Sequence, residues 1–134
     1  MKHKVFVYGT LLSQGSNPAE KMVEAEVIGK AELYGTIFDL GWYPGLKMDA
    51  HHKSESGVVG NVKGEIISVD DAGLETLDHY EGAPYLYTRI KTVAFNPETK
   101  EITEVWTYEY NDSVSERDVV PLGDWIQYSN KKGL

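Results

Sequence analysis

No cysteine occurs among the 134 residues, which removes a disulfide framework, a thiolate metal site and a cysteine nucleophile together. Basic charge is scarce as well: 13 Lys and Arg stand against 21 Asp and Glu, for a formal net charge of −8. With no basic stripe, neither nucleic acid nor an anionic membrane is an expected partner. Long hydrophobic runs are also missing. The apolar stretch after Met1-Lys2-His3-Lys4 stops at Gly9, too short for a signal-peptide core or a membrane span, so the expected location is cytoplasmic. His3, His51, His52 and His79 are the only imidazoles and none has the i, i+4 spacing of a helical metal pair. Adjacent His51 and His52 point to opposite sides of an extended chain, so no metal site is expected. Ser13 and Ser16 lack a nucleophile-elbow sequence, and neither a Walker lysine nor a GxGxxG spacing is present.

What is present is aromatic. Three Trp, nine Tyr and three Phe point to strands around an aromatic-lined core or cleft rather than a helical bundle. The length suits a single domain spanning residues 1–134. Val5-Phe6-Val7-Tyr8 is a nearly continuous apolar run ended by Gly9, as in a buried first strand. Asn17, Pro18 and Glu20 carry the pattern of a helix start, which predicts a short helix over 17–25. Residues 27–40 and 58–69 are strand-like, with Gly29, Gly35, Gly60 and Gly64 as bends. Residues 41–45 form a Pro-Gly turn carrying Trp42 and Tyr43, and the polar segment 49–57 is either a mobile excursion or a lid over a cleft. Residues 85–95 and 102–110 make a hairpin around Asn96-Pro97-Glu98-Thr99-Lys100. Residues 119–128 close the chain on Trp125, and 130–134 are expected to fray. The sum is an α+β fold: a small, mostly antiparallel, strongly curved β-barrel with a few short flanking helices.

The stretch from Leu77 to Pro84 stands out. A helix begins at Asp70 as N-cap, with Val69 and Leu74 spaced as a hydrophobic staple and Leu74 and Leu77 as its buried stripe. Gly82 suits the left-handed position past the last turn and Pro84 blocks continuation, which leaves Glu81 at the C-terminal end. A carboxylate there faces the negative end of the helix dipole. Partly desolvated, it has a raised pKa and suits proton transfer; otherwise it is a solvated surface charge. Tyr8-Gly9-Thr10-Leu11, at the end of the first strand, offers successive backbone N–H groups that form either an anion nest or an ordinary loop, and Gly9 permits close approach of a ligand. Among the aromatics, Tyr43 and Tyr87 are the two expected to reach a pocket.

Tyr8-Gly9-Thr10-Leu11, Leu77-Asp78-His79-Tyr80-Glu81, Tyr85-Leu86-Tyr87-Thr88-Arg89 and Gly123-Asp124-Trp125, in this order and spacing, resemble the γ-glutamyl cyclotransferase-like superfamily, most closely its γ-glutamylamine cyclotransferases. The resemblance implies a small β-barrel and an enzyme in which the α-amine of a γ-glutamyl group attacks its own γ-carbonyl. The products are 5-oxoproline and the released amine. It implies Glu81 as catalytic acid/base and the backbone of Tyr8, Gly9, Thr10 and Leu11 as the cradle of the α-carboxylate. No cofactor and no metal are implied. The expected partner is a small-molecule γ-glutamyl substrate, with the oligomeric state left open. A Gly9-loop N–H or the Tyr87 hydroxyl is the expected oxyanion donor. Many relatives place a basic residue after Tyr-Gly-Thr-Leu, whereas Leu12 and Ser13 stand here. The alternative is a non-catalytic module on the same fold that binds a small carboxylate.

Overall fold

In strand β1 (His3–Val7) the stretch Val5-Phe6-Val7 is apolar on both faces and buried on both, while His3 and Lys4 lie nearer solvent. Val5 and Val7 enter one core with Leu74 and Leu77, while Phe6 and Tyr8 enter a second with Leu33, Leu46, Val62, Val105 and Trp125. This two-sided burial is set by the side-chain period of two in a strand. The structure, a computed structural model, describes residues 1–48 and 61–133. The expected bend at Gly60, the polar segment 49–57 and its His51-His52 pair lie outside the described residues.

The other strands are β2 (Ala25–Asp39), β3 (Pro44–Met48), β4 (Asn61–Val69), β5 (Tyr87–Phe95) and β6 (Ile102–Tyr110). They run in the order β3-β2-β4-β1-β6-β5, and a β2–β5 pairing at Glu32 and Phe95 closes five of them into a barrel. All pairings are antiparallel except β1 with β6, which meet in parallel at Val5 and Trp106. The curved, mostly antiparallel barrel is therefore as expected. β2 shifts register between Val27 and Gly29, the bulge that the glycine signalled. At Gly64 a Cβ would meet the Val7 carbonyl oxygen at 2.2 Å, so only glycine lets β4 cross β1 so closely.

Helix α1 (Asp71–Glu81) follows β4 directly. Asp70 caps it by accepting from the Gly73 N–H at 2.8 Å, and Gly82 ends it in the left-handed region at φ 67°. Helix α2 (Trp125–Lys132) is capped by Asp124 and buries Trp125 in the second core. Its Tyr128 hydroxyl donates to Asp39 at 2.6 Å, which fastens the helix to the end of β2. Among the described residues no helix is long and apolar enough to cross a membrane.

Three expectations are corrected. The helix predicted over 17–25 is only a single 3-10 turn, Ala19–Lys21, with Pro18 at the cap position. Its backbone donors are drawn elsewhere: the Asn17 N–H donates to Thr10 and the Ala19 N–H to Leu11, so the segment is folded against the preceding loop. Pro44 and Gly45 do not lie in a turn but open β3, paired with Asp39 and Phe38. Proline is tolerated there as the first residue of an edge strand, where its missing N–H breaks no ladder. Residues 130–132 do not fray but continue α2, because Gly133 in the left-handed region completes a C-terminal cap.

Candidate active site

β1, the loop that follows it, the 41–43 bend with the start of β3, and the end of α1 converge on one cavity of about 370 Å³. Every residue singled out from the sequence lines it: Tyr8, Gly9, Thr10, Leu11, Tyr43, Glu81 and Tyr87. The wall also includes Phe6, Val7, Ser16, Trp42, Pro44, Tyr80, Leu86 and Tyr108. No sequence pattern pointed to these, because their arrival depends on how β1, β3 and β6 stack. Tyr80 alone carried a local signal, as the neighbour of Glu81.

Among the described residues, Glu81 is the only charged side chain on the wall. Its carboxyl pKa is pushed up to about 7 by burial, since the cavity removes water without supplying a cation. The group therefore changes charge near neutral pH. Burial raises Tyr87 and Tyr108 well above the ordinary phenol range; the Glu81 charge is the next cause at Tyr87, whereas at Tyr108 the hydrogen bond and charge of Asp78 come before it. In Tyr8, where burial again dominates, Tyr87 adds more than Glu81 does.

These tyrosines are fixed by their own hydroxyls. Tyr8 donates to the Tyr108 carbonyl at 2.6 Å, and Tyr108 donates to Asp78 Oδ1 at 2.7 Å. The same Asp78 oxygen receives Arg89 Nε at 3.0 Å, and the Arg89 guanidinium lies over the Trp106 ring at 4.3 Å. Arg89 is thus committed one layer behind the wall. Tyr87 donates to the Pro44 carbonyl at 2.7 Å, so its only proton is spent on holding the start of β3. The Tyr87 hydroxyl, one of the two expected oxyanion donors, is therefore committed to the backbone.

The loop after β1 is held from both sides. Glu65 on β4 accepts from the Ser13 N–H at 2.8 Å and from its hydroxyl at 2.6 Å. Thr10 Oγ1 and Tyr80 Oη are hydrogen-bonded at 2.7 Å, with Asn17 Nδ2 3.5 Å from the same phenol oxygen. Among the described residues none accepts from the backbone N–H of Gly9, Thr10 or Leu11. These donors sit on the wall that Glu81 shares. Gly9 has a packing reason as well as the expected one: a Cβ there would meet Pro44 Cγ at 2.6 Å.

A closed barrel with one buried carboxyl and a stretch of uncommitted backbone donors in a small cleft is equipped for proton transfer on an anionic small molecule. The chain belongs to the gamma-glutamyl cyclotransferase, AIG2-like family, whose model matches residues 5–127. It is 34% identical over 129 residues to a Vibrio cholerae protein provisionally named a gamma-glutamylcyclotransferase, covering 95% of this chain and 98% of that protein. Bacillus subtilis YkqA has the same fold, with a TM-score of 0.75, 21% identity and 99% of this chain covered; the chain spans 43% of that protein's length. A mouse AIG2-like protein matches with a TM-score of 0.65 and 24% identity over 86% of this chain and 81% of its own.

Proposed function

We propose that this protein releases 5-oxoproline from a γ-glutamyl amine or amide, with Glu81 as acid/base and the Gly9, Thr10 and Leu11 N–H groups as the site of the α-carboxylate. One observation carries the reading: a carboxyl held near pKa 7 shares a cavity with uncommitted backbone donors. An α-amino group has a reference pKa of about 8, so Glu81 takes its proton at little cost. The freed amine attacks the γ-carbonyl within the same molecule, an arrangement with a large effective concentration once the glutamyl chain is folded. The new N–C bond closes the five-membered ring as the C–N bond to the leaving amine breaks. Both protons lost by the attacking nitrogen are matched by protons gained by the leaving one, and Glu81 carries them in turn. No redox partner enters the balance.

The test is 5-oxoproline release from a panel of γ-glutamyl amines, amides and dipeptides by wild type and by Glu81→Gln. The expected result is turnover by wild type and loss of turnover in a variant that still folds and binds. Binding of 5-oxoproline without turnover of any panel member would instead identify a carboxylate-binding module.

A further inference from the structure

The cavity opens to solvent at a mouth whose chemistry differs from that of the Gly9 loop beside it. Trp42 is 75% exposed at the mouth of the cavity, and Tyr43, Tyr80 and Leu86 each lie on the wall about two-fifths exposed, at 38%, 38% and 37%. Large apolar side chains left in water around the opening of a cleft are a surface that a ligand can cover. Trp42 Nε1 has no acceptor among the described residues, and the preceding Gly41 adopts φ 114°, a conformation that an L side chain resists. Between this opening and Glu81 no lysine, arginine or histidine lines the cavity among the described residues. Arg89 and Lys47 are engaged elsewhere: Arg89 with Asp78, and Lys47 with the Tyr110 carbonyl at 2.7 Å.

We infer that the mouth formed by Trp42, Tyr43, Tyr80 and Leu86 is a leaving-group subsite that selects uncharged apolar or aromatic amines, and that Trp42 is its main specificity-determining residue. The inference rests on the γ-glutamyl reading of the same cavity and names which γ-glutamyl compounds it takes. A γ-glutamyl dipeptide brings a carboxylate to this mouth. It would lose water against indole and phenol rings with no cation among the described lining residues to pair with, and it would stand near the Glu81 carboxylate. An aralkyl or alkyl amine has neither cost. It covers the exposed faces of Trp42 and Leu86 and stacks on the tyrosines in offset or edge-on contact. The chain's net charge of −8 works in the same direction against a second anionic group on the substrate.

Binding to Glu81→Gln by calorimetry separates this inference from the catalytic one, because it needs no turnover and because the variant carries no charge at position 81 to repel a carboxylate. The ligands are γ-glutamylbenzylamide, γ-glutamylmethylamide, γ-glutamylglycine and the mono-γ-glutamyl derivative of 1,4-diaminobutane. Expected is benzylamide binding at least about 10-fold tighter than the glycine derivative, and a benzylamide-to-methylamide preference that shrinks about 10-fold in Glu81→Gln/Trp42→Ala. Tighter binding of the glycine derivative or of the cationic diamine derivative overturns the assignment, as does a preference indifferent to Trp42. Selective benzylamide binding combined with no 5-oxoproline release by wild type would support the subsite while removing the catalytic reading. Release with equal kcat/KM from all four would do the reverse.

Discussion

Thr10 Oγ1 and Tyr80 Oη meet at 2.7 Å and so join the loop after β1 to the helical residue immediately before Glu81. The two halves of the site, far apart in sequence, are held at a fixed separation by one hydrogen bond between side chains. Tyr80→Phe removes only the oxygen. It should raise KM about 2- to 10-fold, the worth of one such bond, with a smaller change in kcat. Steady-state kinetics on the best panel substrate check this; an unchanged KM would show that the Ser13–Glu65 clasp alone holds the loop.

The raised carboxyl sets a pH profile. Glu81 must be ionised to accept a proton, so kcat/KM should rise as pH increases through about 7 and fall again above about 8 as the substrate amine loses its own proton. In Glu81→Gln the lower limb should vanish and the residual rate should drop about 100- to 10,000-fold. A lower limb near the ordinary carboxylate range in wild type would place the catalytic base elsewhere.

Stability should respond to the same group with a defined sign. The folded-state pKa of Glu81 lies above its ordinary value of 4.5, so between 4.5 and about 7 the folded chain binds more protons than the unfolded one. Stability attributable to Glu81 therefore falls as pH rises through that window and stays low above it. Glu81→Gln escapes the penalty. Relative to wild type it should gain on the order of 1–3 kcal/mol between pH 4.5 and pH 8, read as a Tm difference that grows with pH. A difference that does not change with pH would mean that the carboxyl is well solvated.

Gly9→Ala tests packing rather than chemistry. Gly9 is not among the glycines with positive φ, so the added methyl meets no backbone strain and acts only through Pro44, whose Cγ and Cδ it would meet at 2.6 and 2.7 Å. The cost should be about 1–3 kcal/mol. Pro44→Ala in the same chain should recover part of it, so the double variant should be more stable than the sum of the singles predicts. Strict additivity would rule out the Pro44 contact as the cause.

How much of this was legible in the sequence depends on whether a feature is fixed locally. Helix α1 could be read residue by residue because Asp70, Leu74, Leu77 and Gly82 act within one short stretch. The β5–β6 hairpin could be read for the same reason, since Asn96 accepts from the Glu98 and Thr99 N–H groups inside its own turn. The 17–25 segment carried equally good helix signals and did not form the helix, because Thr10 and Leu11 claim its first donors. Strand β3 was hidden by its proline. Tyr8, Gly9, Thr10, Leu11 and Glu81 were recognisable as short motifs, with Tyr80 and Leu86 in the same or neighbouring stretches, whereas Trp42 and Tyr108 reach the cavity only through contacts between segments distant in sequence. Tertiary contacts of this kind leave no period in the sequence.

β1 comes early in the chain yet lies in the middle of the sheet, between β4 at Val69 and β6 at Trp106. During synthesis the strand that carries the Gly9 loop emerges long before either neighbour exists. Its apolar residues must wait, and the loop can take its final shape only after the hairpin ending at Tyr110 has been made. Contacts so distant in sequence make folding slow and its last steps decisive. The cleft is therefore a late product of biosynthesis, and a nascent chain stopped before β6 would carry every motif of the site without the chamber that gives them meaning.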